Sequence, residues 1–196
     1  MARLFRDPQM YHYLAGPYAL AQRALPIWQS YIRQVLPLMP PQGSVLEIGP
    51  GPGSLLETLS QTQPLVVGLD LAWGMLRESQ KRLQRMGHPA NLVQGTATHL
   101  PLLADSLDAV VMTFSLSAIP EGEAVMREVT RILRPAGVIV TIDIAWPPDG
   151  NVGGRLLARS CKIFGDTIHD IPALMNGAGL QVREQRHFGA FNSIYL

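Results

Sequence analysis

Short apolar runs alternate along this chain with segments in which apolar residues recur every three or four positions. Residues 45–48 form a first run, rich in β-branched side chains and ending at Gly49. Leu55, Leu56 and Leu59 then mark a helical stripe over 54–60. A second run, 65–69, ends at Asp70. Ala72, Met75, Leu76, Ser79, Leu83 and Met86 follow at steps of three and four, with Arg77, Glu78, Lys81, Arg82 and Arg85 between them. That spacing predicts an amphipathic helix, stopped by Gly87 and Pro89. Residues 91–94 and 107–114 read as a third and a fourth strand. Val125, Met126, Val129, Ile132 and Leu133 mark another helix, with Glu123 and Arg127 placed to pair at i,i+4. Pro135, Ala136 and Gly137 predict a turn, and 138–144 a fifth strand.

Strands this apolar, separated by helices, predict a parallel sheet covered on both faces. The expected fold class is therefore α/β, a doubly wound, Rossmann-like sandwich. Beyond Pro148 the alternation loosens. Helices are expected over 155–164 and 171–178, then strands over 180–188 and 191–196. The short link at Gly189 and Ala190 suits an antiparallel pair, because a crossover needs a dozen residues or more. Residues 1–43, broken by Pro17, Pro26 and Pro37, read as mostly helical and outside the sheet. The expected organisation is an N-terminal helical lid, 1–43, ahead of a main domain, 44–196.

Composition narrows the function classes. With 196 residues, 47% apolar and 16% charged, the chain can fill the core of one domain, which excludes intrinsic disorder. Net charge is only +1, without the basic stripe of a nucleic-acid-binding protein. The single cysteine, Cys161, excludes a disulfide framework and a multi-cysteine metal cluster, and no metal site is expected. No window of 18 apolar residues predicts a transmembrane helix. Asp7, Pro8, His12, Gly16 and Pro17 interrupt the N-terminal stretch, so it is not expected to act as a signal peptide. The expected location is the cytoplasm. A membrane-peripheral alternative rests on residues 1–43, whose aromatic, leucine and arginine content suits a membrane surface. Nothing in the sequence selects an oligomeric state.

The most informative segment is Val-Leu-Glu-Ile-Gly-Pro-Gly-Pro-Gly, residues 45–53, which leads into a helix. Glycines at 49, 51 and 53 let a backbone turn approach a ligand without side chains in between. The turn falls at the carboxyl end of the first strand, where open α/β sheets bind ligands. Asp70 ends the next strand, where a carboxylate can accept from both hydroxyls of a ribose. A dinucleotide would want a third glycine where Ser54 stands. Glu47 would repel a pyrophosphate but favours a sulfonium and an amine. Both departures point to S-adenosyl-L-methionine over a nicotinamide cofactor.

With these residues in view, the chain resembles the class I S-adenosylmethionine-dependent methyltransferases. It is most similar to the methyltransferase type 11 group and to quinone-biosynthesis C-methyltransferases. The resemblance is carried by 45–53, Asp70, Leu71-Ala-Trp-Gly-Met75, Gln94-Gly-Thr-Ala97 with Leu100 and Pro101, Ser106–Val111, and Leu133-Arg-Pro-Ala-Gly137. It implies a mostly parallel seven-stranded sheet of order 3-2-1-4-5-7-6. It implies cofactor contacts from Glu47, Gly49, Gly51, Gly53, Asp70, Leu71, Met75, Thr96, Ala97, Thr113 and Phe114, and from Tyr18 in a Tyr-Leu-Ala-Gly-Pro-Tyr opening. Thr96 departs from the family's usual Asp, and Ala19 from an Asp after the second Tyr.

The implied activity is methyl transfer by in-line displacement to a small apolar or lipid-like acceptor, with a quinone or a phospholipid head group as examples. A catalytic base is not identified; the weak candidates are His12, Asp143 and His169. The alternatives are an NAD(P)-dependent reductase and a non-catalytic S-adenosylmethionine-binding or interaction module.

Overall fold

The computed structural model describes residues 15–17, 19–20, 27–189 and 193–196. Its centre is a seven-stranded sheet. In chain order the strands are β1 (Ser44–Ile48), β2 (Leu65–Asp70), β3 (Asn91–Gln94), β4 (Leu107–Thr113), β5 (Leu133–Ile144), β6 (His187–Phe188) and β7 (Ile194–Tyr195). They lie in the order β3-β2-β1-β4-β5-β7-β6, as the resemblance implies. β1 to β5 are parallel, with Val45 opposite both Val66 and Ala109. β7 runs antiparallel to β5 and to β6, which bears out the antiparallel reading of the C-terminal pair.

Among the described residues, the helices that follow residue 26 are α1 (Ile27–Val35), α2 (Ser54–Leu59), α3 (Trp73–Arg85), α4 (Gly122–Ile132), α5 (Val152–Ile163) and α6 (Ile171–Gly177). Alternate residues of each central strand feed opposite faces of the sheet. Leu46, Ile48, Val110 and Met112 pack on one face against Val125, Met126, Val129 and Ile132 of α4 and Ile171 and Met175 of α6. Val45, Ala109, Val111 and Ile142 pack on the other against Tyr31, Ile32 and Val35 of α1, Leu55, Leu56 and Leu59 of α2, and Leu83 of α3. Part of the expected lid, α1, is therefore a wall of the core.

Four sequence expectations are corrected. β5 starts at Leu133, five residues early, because Leu107 pairs with Leu133 and Ala109 with Val138, so the 134–137 turn bulges out of one continuous strand. Ala136 takes a φ of 66° in that bulge, and the extended backbone of Leu133 joins helix α4 directly to the strand. β6 is two residues long, because Gln181 and 183–186 carry exposed polar side chains beyond the short antiparallel corner. Met86 follows α3 as an exposed cap, since α3 has already left the core at Leu83. The α4 ion pair is Glu128–Arg131 at 2.8 Å in place of Glu123–Arg127, because Glu128 also accepts from the Leu100 N–H and is held there.

Candidate functional site

The carboxyl ends of β1, β2 and β4 open into a cavity of about 350 Å³. Its floor is the glycine turn. The Gly49 N–H donates to the Leu69 carbonyl at 2.8 Å, which carries the β1–β2 ladder one step past the strand. The chain then reverses through left-handed residues, with φ of 68°, 54° and 80° at Gly49, Gly51 and Gly53. A Cβ at 49 would stand 2.5 Å from the Ser115 Cβ, and Ser115 is itself held by donation to the Ile48 carbonyl. Glycine is thus required at 49 by both conformation and space.

Two carboxyls face this turn. Asp70 accepts from the N–H of Ala72 at 2.8 Å and of Gly51 at 3.3 Å. Burial nevertheless pushes its pKa up to about 6, against the downward pull of those backbone donors. Glu47 is 1% exposed. Burial, and secondarily the neighbouring Asp70 charge, push its pKa up to about 8. One carboxyl oxygen of Glu47 has no hydrogen-bond partner. Buried acceptors are nearly always satisfied, so an unpartnered one lining a cavity marks a place for a ligand. A cationic group there would supply the missing partner and restore the charged form. The donor set of this cavity therefore fits S-adenosylmethionine, which brings a sulfonium, an ammonium and a ribose diol.

Leu71, Met75, Thr96 and Ala97 line one end of the cavity. Met75 and Ala97 are buried, whereas Leu71 is 50% exposed and forms the outer edge. The Thr96 and Thr98 hydroxyls lie 2.8 Å apart, and Thr96 also accepts from the Thr98 N–H, so its hydroxyl braces its own turn. Thr113 and Phe114 line the cavity at the end of β4. Phe114 holds a φ of 53°, unusual for a residue with a side chain, while its N–H donates to the Ile142 carbonyl at 2.7 Å. Its ring meets Tyr31 edge-on with centroids 4.9 Å apart.

Ten of the expected contacts thus share one cavity: Glu47, Gly49, Gly51, Asp70, Leu71, Met75, Thr96, Ala97, Thr113 and Phe114. Gly53 stands behind it, where a Cβ would press within 3.0 Å of the Ser79 Cα. Tyr18 and His12 lie outside the described residues. Asp143 and His169 are placed behind the cavity wall. Asp143 is buried and accepts from the N–H of Ser117 and of Ile144. His169 bonds the Ile119 carbonyl through Nε2 at 2.9 Å. Both hold the loop after β4, which itself lines the cavity.

Sequence reasoning missed Tyr31, Ile32, Ser115, Ile119, Glu121 and Asp166, which also line it. None belongs to a local motif. α1 reaches the cavity by packing on the sheet, and the Asp166 loop reaches it because the Thr167 N–H donates to the Ser117 carbonyl at 2.7 Å.

Comparison with known proteins bears on the family and the fold. A family model described as a methyltransferase domain matches residues 46–141. The chain is 34% identical over 110 residues to a demethylmenaquinone methyltransferase of Roseiflexus castenholzii, a match covering 55% of this chain and 45% of that protein. It is 26% identical over 114 residues to a ubiquinone/menaquinone biosynthesis C-methyltransferase of Syntrophotalea carbinolica, covering 57% and 48%. The chain thus spans about half the length of the curated relatives it matches. Among solved structures, a SAM-dependent methyltransferase of Thermotoga maritima superposes with a TM-score of 0.70 at 18% identity, over 95% of this chain and 97% of that one, and so shares the fold.

Proposed function

We propose that the chain is a class I S-adenosylmethionine-dependent methyltransferase that transfers a methyl group from S-adenosylmethionine to a small, uncharged, apolar acceptor, of which a ring quinol is the best example. The observation that carries this reading is the buried Glu47 carboxyl with its unpartnered oxygen, opposite Asp70 in the same cavity.

Bound S-adenosylmethionine supplies a methyl already activated by a positive sulfur. The chain's own residues bind and align. Glu47 faces the cationic part, and Asp70 accepts from the ribose hydroxyls. Leu71 and Met75 flank the adenine, with Thr96 and Ala97 at its edge. The glycine turn carries the methionine portion, and Gly53 supports it from behind. Thr113 and Phe114 border the space where methyl and acceptor meet. Holding reacting atoms about 3–3.5 Å apart and in line is worth a large share of such a barrier, so no catalytic dyad is required.

The acceptor class follows from charge. Among the described residues no Lys, Arg or His lines the cavity, whereas Glu47, Asp70, Glu121 and Asp166 do. A carboxylate or phosphate on the acceptor would enter against that field. Tyr31, Ile32 and Phe114 offer an apolar and aromatic wall to a ring. Asp70, Glu121 and Asp166, with no cation among the described lining residues, disfavour a dinucleotide pyrophosphate. The relatives' quinone substrates belong to the apolar class that this cavity suits.

The test is calorimetric titration with S-adenosylhomocysteine and with NADH, followed by transfer of labelled methyl to 1,4-naphthohydroquinone. Tight binding of the first ligand alone, with label in the ring product, is the expected result. Binding of NADH alone would overturn the reading.

A further inference from the structure

We infer that the outward face of α5 docks on the anionic headgroup layer of a phospholipid bilayer. α5 turns Gly154 and Ala158 inward, with Leu157 and Cys161 packed against the core. Its opposite side is apolar, although it faces solvent. Val152 is 73% exposed, Leu156 59% and Ile163 68%, and Phe164 follows at 55%. At about 100° per residue, Val152, Leu156 and Ile163 fall within about 40° of one another, so they form one stripe. Single exposed apolar residues are ordinary on a protein surface, whereas a stripe with an aromatic at its end is not. Trp146, 43% exposed, lies just before the helix, and with Pro147 and Arg155 it lines a shallow hollow beside it.

The charges on this helix all have one sign. Arg155, Arg159 and Lys162 are exposed, and no Asp or Glu occurs in Val152–Ile163. By the same angular spacing, Arg159 sits beside the apolar stripe, about 20° from Val152, with Arg155 and Lys162 further round the same flank. None of the three has an ion-pair partner among the described residues. Apolar side chains on one face, cations beside them, and a tryptophan at the margin are what a helix lying in a bilayer interface requires. A second copy suits the face less well, since a two-fold contact would set three cations against three. An anionic lipid surface satisfies both the apolar and the charged components.

The position adds a consequence. Phe164 is followed at once by Gly165 and Asp166, which line the cavity. Docking through α5 would bring the cavity rim to the bilayer surface, next to the phase in which an apolar acceptor dissolves. This surface is separate from residues 1–43, where the sequence suggests a membrane contact. The docking face stands on its own observations and does not rest on the methyl-transfer reading.

The experiment is flotation of the full chain with phosphatidylcholine vesicles, with and without about one third phosphatidylglycerol, at low and high salt. The wild type should float with the anionic vesicles, less so as salt rises, and poorly with the zwitterionic ones. Leu156→Ser/Ile163→Ser and Arg155→Glu/Arg159→Glu should each lower partitioning by about tenfold or more. Both should keep wild-type circular dichroism and wild-type affinity for S-adenosylhomocysteine, which reads the cavity separately. The inference is overturned if the wild type stays with the unbound fraction, or if both variants float as it does. It is equally overturned if sedimentation shows a dimer that Leu156→Ser/Ile163→Ser dissociates.

Discussion

The Ser79 hydroxyl donates to the Gly51 carbonyl at 2.7 Å, and so ties the middle of α3 to the middle of the glycine turn. Ser79 is fully buried and is also the residue that leaves no room for a Cβ at Gly53. The turn is therefore held from behind by a helix 28 positions along the chain.

Ser79→Ala should leave the Gly51 carbonyl without this partner, at a cost of about 1–3 kcal/mol if no water replaces it. The affinity for S-adenosylhomocysteine should fall with it, because the turn it stiffens lines the cavity. Gly53→Ala should be worse, since it adds left-handed strain to a contact of 3.0 Å with the Ser79 backbone. Thermal melts and calorimetry on both variants check this. Wild-type melting and affinity in both would remove the clamp from the account.

Glu47 makes ligand binding and stability depend on pH in opposite senses. Its pKa in the fold, about 8, lies above the ordinary carboxyl range, so between that range and pH 8 the folded state holds a proton that the unfolded chain has lost. Stability should accordingly fall as pH rises from the ordinary carboxyl range to about 8 and level off above it, and Glu47→Gln should flatten the decline. A cationic ligand needs the ionised form, so its binding near pH 7 should release a proton. Titrations in two buffers of different ionisation enthalpy read that proton directly. Equal heats in both would argue against Glu47 as the cation's partner.

Asp70 is predicted to act through its two oxygens and not through charge alone. Asp70→Asn removes the charge and one acceptor position, and Asp70→Ala removes both. Both should weaken S-adenosylhomocysteine, with Ala the more severe, by about 1.5–3 kcal/mol for lost hydrogen bonds to a charged group. A dissociation constant unchanged in Asp70→Ala would refute the ribose assignment.

Asp143 and His169 are expected to matter for stability and not for chemistry. Asp143 is buried and bonded to two backbone donors, so Asp143→Leu should leave the Ser117 and Ile144 N–H groups unpaired and lower the melting temperature strongly. His169→Phe should loosen the Ile119 loop more mildly. If methyl transfer is lost in His169→Phe while melting and cofactor affinity hold, His169 has a chemical role after all.

The local code accounts for much of this molecule. Strand and helix periods at β1, β2, β4, α3 and α4, the glycines at 49 and 51, and Asp70 at a strand end are all visible in sequence. Each depends on near neighbours: apolar residues repeat at two or 3.6 because one face must leave water, and glycine is needed where φ turns positive. Tyr31, Asp166 and the tie from Ser79 to Gly51 depend instead on which distant segments meet, and no short-range spacing records that. The β5 bulge, the brevity of β6 and the outward stripe of α5 likewise came from three dimensions, because pairing partners and exposure are properties of the packed chain. Sequence alone determined a sheet with a ligand turn at its edge. Tertiary packing decided what walls the cavity, why Glu47 holds its proton, and which apolar side chains remain facing outward.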